Sequence, residues 1–313
     1  MNLMQAPKLL VQKVQQTRSD LPIFRSTVGS IPAMMRLYSL GYADSLFIRP
    51  WTRLSLLHVL QETEPSIKLS SNTQAQEIFL AVQRELAAET GNRRGPRSFL
   101  GGAETVYTRG EGVGGVTLRD SYHLGQTVVN DYGRPYQSGL NFFSGGAAMA
   151  EYGRLSLYIR GEYQHSPSGT GYAAGLANQL SELDLNQSFT GPNAPQATIP
   201  AGPIVSQNSF RLIEASLPLH VLGHEISGGK SDAWLGPGRG GSTAWSNNAE
   251  NIYSFRIDRV EPLSIPLVSR VLGPLRYGFM YGSLKGHTDP NSPYVHNEIF
   301  SFRPTNNFEF AFI

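Results

Sequence analysis

The most informative pattern in the chain is an alternation of apolar and polar residues with a period of two. In the segment 251–260, Tyr253 and Phe255 fall on one face of a predicted strand, whereas Arg256 and Asp258 fall on the other. Such alternation is typical of a β-strand whose two faces meet different environments.

The segment 153–165 repeats this pattern over a longer stretch. Leu155, Leu157 and Ile159 share its apolar face, and the opposite face is charged. A soluble sheet buries its aliphatic face, whereas a membrane barrel turns that face to lipid and its polar face to the lumen. Outward aromatic residues recur in the last strands and favour the barrel. The charged residues expected to face the lumen are Arg154, Arg160, Glu162, Arg256 and Asp258.

Buried charges must find partners. We therefore expect Glu151 and Glu162 to form ion pairs with the neighbouring arginines, Arg134, Arg154 or Arg160.

The same period predicts about ten strands after residue 96. They lie near 98–110, 117–131, 138–152, 153–165, 209–218, 221–231, 251–260, 274–286, 294–303 and 307–313. Within this region, 172–183 is predicted to be a short helix and 186–207 a long loop. Long loops at one edge and short turns at the other are typical of outer-membrane barrels.

The first 95 residues carry a helical pattern instead. Helices are predicted at 3–17, 31–40, 51–63 and 73–90, the third ending before Pro65 and the last capped by Ser71 or Asn72. The predicted fold is mostly β: an N-terminal helical region at 1–95, and a partial antiparallel transmembrane β-barrel at 96–313.

Composition excludes several classes of function. The formal net charge of +2 gives no reason to expect a nucleic-acid partner. The absence of cysteine excludes disulfides and thiolate metal sites. No apolar run approaches the ~18 residues of a transmembrane helix.

Candidate catalytic chemistry is weak, so we predict no enzyme activity and no cofactor. His220 and His224 have a spacing that binds metal on a helix, but Pro218 and Gly223 break that helix, and no metal site is expected. The glycine-rich segment 236–241 lacks the following helix of a dinucleotide loop. Glu151 and Glu162 could serve a glycosidase, but nothing in the sequence sets their separation.

A different set of residues suits a sugar ligand. Aromatic rings stack on sugar rings, and amides and carboxylates bind hydroxyl groups. The alternative is that these residues only stabilise a loop. The glycan-binding candidates are Trp234, Arg239, Trp245, Asn247, Asn248 and Glu250.

Long motifs in the chain resemble the Wzi-type capsule assembly proteins. They are LYSLGYADSLFIRPWTRLSLLHVL, LRDSYHLGQTVVNDYGRPYQSG, LSLYIRGEYQHSPS, WLGPGRGGS with SNNAE, FRIDRVEPL, LGPLRYGFMYGSLKGH and NEIFSFRPTNNFEFAF. The resemblance implies an outer-membrane barrel that holds capsular polysaccharide at the cell surface as a lectin, with the helical N-terminal region 1–95 on its periplasmic side. It also implies on the order of eighteen strands, an even number as in other bacterial barrels. With about ten strands and no signal peptide, the chain is expected to be a fragment; the alternative is a smaller closed barrel ending at 308–313.

The expected function is attachment of capsular or extracellular polysaccharide to the bacterial outer membrane. The expected partners are that polysaccharide, outer-membrane lipid and, through the N-terminal region, peptidoglycan. The last expectation comes from LGYADSLFIRPWTR, which resembles one S-layer-homology repeat. The alternatives are an outer-membrane channel for sugars or small solutes and a polysaccharide-processing enzyme.

Overall fold

The structure is a computed structural model of the 313-residue chain. It describes residues 48–49, 53–85, 99–115, 132–183, 201–236, 242–245, 247, 249–285, 291–305 and 307–313.

Nine strands form one antiparallel sheet in which every strand pairs with the strands before and after it along the chain. This is an up-and-down arrangement, as in membrane barrels. In the described residues the two edge strands are not paired with each other, so the sheet is open there. The strands are β1 (Phe99–Val113), β2 (Gly139–Tyr152), β3 (Leu155–Ser166), β4 (Gln207–Val221), β5 (His224–Lys230), β6 (Tyr253–Arg259), β7 (Leu275–Ser283), β8 (Tyr294–Thr305) and β9 (Phe308–Phe312).

These strands confirm the mostly β, antiparallel fold and nine of the ten predicted strands. The tenth, predicted at 117–131, lies outside the described residues. The strand ends differ from the prediction by a few residues, since alternation marks the middle of a strand better than its ends.

Connections of different size lie at the two ends of the strands. At one end, here called the turn edge, three of the connections have only two residues. At the opposite end, here called the loop edge, all four connections are longer than two residues. The turn edge holds 153–154, 222–223, 260–274 and 306–307, and the loop edge holds 114–138, 167–206, 231–252 and 284–293.

The two faces of the sheet are the reverse of those in a water-soluble protein. The apolar face leaves large hydrophobic side chains exposed; Phe255, for example, is 50% exposed. The polar face buries charged side chains, and Arg160 and Glu162 are both 0% exposed. The other large exposed residues of the apolar face include Val106, Leu140, Leu155, Leu157, Ile159, Tyr163, Phe210, Leu217, Leu219, Tyr253, Tyr281, Tyr294 and Phe312.

A bulge in the pairing of β3 with β4 changes which residues face each other. Arg160 pairs with Glu214, but the next residue, Gly161, pairs with Leu212, so Ile213 is an extra residue on β4. A bulge inserts one unpaired residue and increases the local twist. It brings Glu214 directly opposite Arg160 on the polar face.

Two helices of the N-terminal region pack as a hairpin. They are α1 (Arg53–Leu69) and α2 (Thr73–Glu85), and their buried side chains include Leu60, Ile67 and Phe79. Asn72 caps α2, as predicted, because its Oδ1 accepts the backbone N–H of Ala75 at 3.1 Å.

The prediction that the first of these helices ends before Pro65 is wrong. α1 continues through Pro65 to Leu69. A proline inside a helix removes one backbone hydrogen bond. The extra turn buries Ile67, which is 1% exposed, and this packing offsets the loss.

Two shorter helices lie in the connections of the sheet. They are α3 (Ala174–Leu183), which confirms the helix predicted at 172–183, and α4 (Val268–Leu272). The helices predicted at 3–17 and 31–40 and most of the predicted long loop lie outside the described residues. Among the residues that are described, no helix has the length and apolarity needed to cross a membrane.

Candidate functional site: a buried ionic network under two loops

Glu162 is the centre of a buried ionic network on the polar face. Arg134 donates two hydrogen bonds to its carboxylate, from Nε at 2.8 Å and from Nη2 at 2.7 Å. Arg160 donates a third at 3.0 Å and Gln164 a fourth at 3.0 Å. The Tyr107 hydroxyl donates another. One carboxylate is therefore the shared counter-ion of two guanidinium groups, and buried charges need such partners.

The network continues from β3 to β4 through Arg160. Its Nη1 lies 3.8 Å from Glu214 Oε2, and neither side chain is exposed. Glu214 Oε1 accepts the backbone N–H of Asp232 at 3.3 Å. The carboxylate of Asp232 accepts hydrogen bonds from Asn251 at 2.8 Å and Tyr132 at 3.1 Å.

Two loop-edge segments, 132–138 and the described part of 231–252, cover this network, and we call them the covering loops. Tyr132 N–H donates to the Asn247 carbonyl at 2.9 Å and so joins one loop to the other. Arg256 of β6 donates to the Asp232 carbonyl at 2.7 Å. Arg211 of β4 donates to the Gly133 carbonyl at 2.8 Å. The loops are therefore fastened to the sheet at several points.

Aromatic rings stack with the buried guanidinium groups. Arg134 Cζ lies 3.8 Å from the ring centroid of Phe143, and Arg160 Cζ lies 4.7 Å from that of Tyr132. Such contacts favour a cation that has lost its water. They help to hold both arginines in position to donate hydrogen bonds to Glu162.

The loops carry titratable groups with shifted pKa values. Burial raises the pKa of Asp232 above its usual range, and the nearby Arg160 only partly offsets it. Burial also raises the pKa of the Tyr132 hydroxyl, to which the charge of Asp232 adds. For Glu250, burial acts in the same direction, but the hydrogen bond from Lys230 and the charge of Arg211 outweigh it and lower its pKa.

The structure brings four of the five predicted lumen-facing residues to the polar face. Arg160, Glu162 and Arg256 are buried, and Asp258 lies 3.1 Å from Arg256. Arg154 lies exposed in the 153–154 turn. The expected ion pairs of Glu162 with Arg134 and Arg160 are confirmed. Whether the polar face lines a lumen remains a prediction.

The described glycan-binding candidates belong to one covering loop. Trp234 is only 4% exposed, and its two-residue strand Trp234–Leu235 pairs with Ile48–Arg49. The backbone N–H of Leu235 also donates a hydrogen bond to the carbonyl of the half-buried Trp245 at 3.0 Å. The buried Asn247 accepts the N–H of Ala233 at 2.9 Å.

Glu250 is the exposed member of the set. Its side chain is 53% exposed and lies 2.6 Å from Arg211. Arg239 and Asn248 lie outside the described residues. A sugar-binding role for the six remains a prediction.

The two histidines have separate partners. His220 Nε2 lies 3.7 Å from Glu225 on the paired strand, and His224 bonds the hydroxyl of Tyr277 and the carbonyl of Leu222. Within the described ranges, no group of three histidine or carboxylate side chains could hold a metal ion.

Sequence reasoning missed several members of the network, among them Glu214, Asp232 and Tyr132. Glu214 follows the bulge at Ile213, which shifts the alternation by one residue, so the pattern placed it with neither face. Asp232 and Tyr132 lie in loops, where no periodicity exists to place a side chain.

Comparisons with known proteins give one match. A model of the family described as "Capsule assembly protein Wzi" matches residues 109–313, well over half of the chain. The matched range begins inside β1 and contains all the other strands and both covering loops. No curated protein and no solved structure matches.

Proposed function

Because the chain belongs to the Wzi family of capsule assembly proteins, we propose that it attaches capsular or extracellular polysaccharide to the bacterial outer membrane by binding it. The observation that carries the proposal is the family match over residues 109–313, which contain nearly all of the inside-out sheet. The proposal adds two things to family membership: a membrane location for the sheet and direct contact with the glycan.

The reversed faces of the sheet support the membrane location. Exposed leucine, isoleucine and aromatic side chains on the apolar face would be unfavourable in water but suit the hydrocarbon of a bilayer. β1, β2, β3, β4 and β8 have 12 to 15 residues. A tilted transmembrane strand needs ~9–11 residues.

The loop edge is where we place the glycan contact. Three of the longest connections, 114–138, 167–206 and 231–252, begin and end there. Binding residues commonly lie on loops positioned by a rigid scaffold. The covering loops have such a scaffold, since the ionic network fastens them to β3, β4 and β6.

The burial of the network favours attachment over the two alternatives. A channel lined by Arg160 would need that side chain in contact with water, yet it is 0% exposed. A glycosidase acid or base at Glu162 would need contact with substrate, yet several protein donors already occupy that carboxylate. We therefore propose that the protein acts as a lectin and catalyses no reaction.

For the N-terminal region we retain the proposed periplasmic location and contact with peptidoglycan. The described hairpin of α1 and α2 exposes polar and charged side chains such as Lys68 and Glu77 around its apolar seam. Cross-linking to isolated peptidoglycan sacculi, with and without residues 1–95, tests this separately from the capsule role.

The main test combines cells with purified protein. Deleting the gene in the host bacterium is expected to release capsule into the medium, and the intact gene is expected to restore a cell-bound capsule. The purified full chain in lipid vesicles is expected to bind capsular polysaccharide and to conduct little current in planar bilayers. Normal capsule retention after deletion, with no binding in vitro, would refute the proposal. Large steady conductance would favour the channel.

A further inference from the structure

The connection 260–274, between β6 and β7, is the long connection of the turn edge. The other three there have two residues each, which is enough to join neighbouring antiparallel strands. This one has fifteen residues, from 260 to 274, and includes the helix α4. Its extra length is therefore not needed to reverse the chain.

Three aliphatic side chains at the start of α4 are exposed, and we call them the aliphatic patch. Leu267 is 76% exposed, Val271 72% and Val268 40%. Val268 and Val271 are three residues apart in the helix and so are neighbours on its surface. Ser269 lies between them and binds the protein, because its Oγ accepts the backbone N–H of Ile265 at 2.8 Å. Leaving an aliphatic patch in water is unfavourable.

The backbone at Leu267 is strained. Its φ is 70° and its ψ is −49°, and the N–H of Val268 donates to the carbonyl of Pro266 at 2.9 Å. This is a classic γ-turn, which is rare and strained. A positive φ is easy for glycine but not for leucine, whose Cβ crowds the backbone. Leu267 is thus unfavourable in its backbone as well as in its exposed side chain, and strain of this kind is found mainly at functional sites.

The connection begins on the apolar face of the sheet. Leu263 and Leu275 exchange two backbone hydrogen bonds, at 2.8 and 2.9 Å. Residues directly opposite each other in an antiparallel pair have their side chains on the same face. Leu275 lies on the apolar face and pairs with Phe302 of β8. Leu263 therefore extends the apolar face from β7 into the connection.

The end of α4 is fixed against β8. Gly273 lies so close to this strand that a Cβ there would be 1.8 Å from the carbonyl oxygen of Arg303. The N–H of Arg303 donates to the carbonyl of Pro274 at 3.4 Å. Six residues separate Leu267 from Gly273, which is about 9 Å at the rise of a helix. The aliphatic patch is thus held beside the turn-edge end of the apolar face.

We propose that the connection 260–274 anchors the protein in the membrane interface at the turn edge, with Leu267, Val268 and Val271 inserted among the acyl chains of the adjacent phospholipid leaflet. The inference rests on the membrane location in the proposed function and extends lipid contact beyond the sheet. Continuity with the apolar face is the reason for choosing lipid as the partner. Arg270 is exposed next to Val271 and can reach the headgroup phosphates, as long cationic side chains do at membrane surfaces.

The test measures whether the patch contacts lipid in the full chain in vesicles of phosphatidylcholine and phosphatidylglycerol. The chain has no cysteine, so single-cysteine variants can each carry one fluorescent label. The test variants are Leu267→Cys and Val271→Cys. The matched control is Ser264→Cys, an exposed polar position in the same connection. Ile159→Cys, on the apolar face, reports on the membrane location of the sheet.

Two quenchers distinguish lipid from water: a spin label near the top of the acyl chains, and iodide in solution. Interfacial segments lie ~5–10 Å deep, so we expect the lipid quencher to reduce emission at 267 and 271 at least about twofold more than at 264. Iodide should quench the label at 264 most strongly. Urea unfolding checks that each labelled variant folds, and Val271→Cys tests the patch without altering the strained turn.

Each other outcome would overturn the anchor for a different reason. Strong iodide quenching at 267 and 271, with lipid quenching at 159, would place the patch in water and leave the membrane location intact. Protection from both quenchers would mean that protein covers the patch, for example the N-terminal region. Absence of lipid quenching at 159 as well would refute the membrane location itself. Polysaccharide binding is measured separately, so failure of the anchor does not count against it.

Discussion

Replacing Glu162 by glutamine removes the shared counter-ion of the ionic network without changing its shape. Both Arg134 and Arg160 donate to this carboxylate, and all three side chains are almost completely buried. Glutamine loses the negative charge and places an N–H₂ group among donors that need an acceptor. We expect Glu162→Gln to lower the free energy of unfolding strongly.

The structure sets the size of the effect. After the substitution, Arg160 keeps its hydrogen bond to the Tyr107 hydroxyl at 2.7 Å, but its remaining acidic neighbour is Glu214 at 3.8 Å. Arg134 keeps its contact with the Phe143 ring. Removing one partner of a buried ion pair typically costs ~3–5 kcal/mol, because the remaining charge is left without compensation. We expect the loss to fall in this range.

Equilibrium urea unfolding in lipid vesicles measures this loss, with tryptophan fluorescence as the signal. Glu261→Gln serves as the control, because its side chain is partly exposed at the turn edge and its replacement should change stability by no more than about 0.5 kcal/mol. The double variant Arg134→Met with Glu162→Gln should be less destabilised than the sum of the two single variants, by ~0.5–3 kcal/mol.

Two results would refute this reasoning. One is Glu162→Gln stability within about 1 kcal/mol of the parent, which would mean that the network does not hold the loops to the sheet. The other is strict additivity in the double variant, which would mean that Arg134 and Glu162 do not act together despite their two hydrogen bonds.

Three further predictions test other parts of the fold. Because burial raises the pKa of Asp232, the folded protein holds that proton more tightly than the unfolded chain. Its contribution is therefore present below the ordinary pKa of ~3.9 and is lost as pH rises through the raised value. Asp232→Asn should remove that part of the pH slope of stability, and an unchanged slope would contradict the assignment. Ile159→Arg on the apolar face should cost ~2–4 kcal/mol if this residue lies near the bilayer midplane, measured by folding into vesicles; unaffected folding would argue against lipid contact. Gly145→Ala should lower unfolding stability by ~1–3 kcal/mol, because the added Cβ would overlap the Gly161 carbonyl and lie 2.7 Å from Glu162 Cγ; full stability would contradict this close approach.

The strands of the sheet were predictable because, within each strand, residues of one face alternate with residues of the other, and the two faces differ in polarity. In β3, the apolar residues Leu155, Leu157 and Ile159 alternate with Ser156, Tyr158 and Arg160. The first three are exposed and the other three are buried or partly buried, as that alternation requires. The end of α1 was not predictable in this way. Pro65 is a local stop signal, and only the burial of Ile67 in the hairpin with α2 outweighs it.

The candidate site was predictable in part. The pairing of Glu162 with Arg160 and Arg134 follows from the need of buried charges for partners. The places of Trp234 and Asn247 did not follow from their residue types. Both suit a sugar, yet Trp234 is buried beside a two-residue strand pair, and Asn247 holds the backbone of the covering loops.

The sequence by itself determined that the chain forms antiparallel strands with one apolar and one charged face, because side-chain direction in a strand depends only on position along it. The tertiary structure alone decided how Glu214 and Asp232 join the ionic network. Glu214 reaches Arg160 through a bulge, and Asp232 reaches Glu214 through a loop that folds back over the sheet. Contacts between residues far apart in the chain depend on strand register and on how the loops close. Neither of these produces a periodic pattern of residues in the sequence.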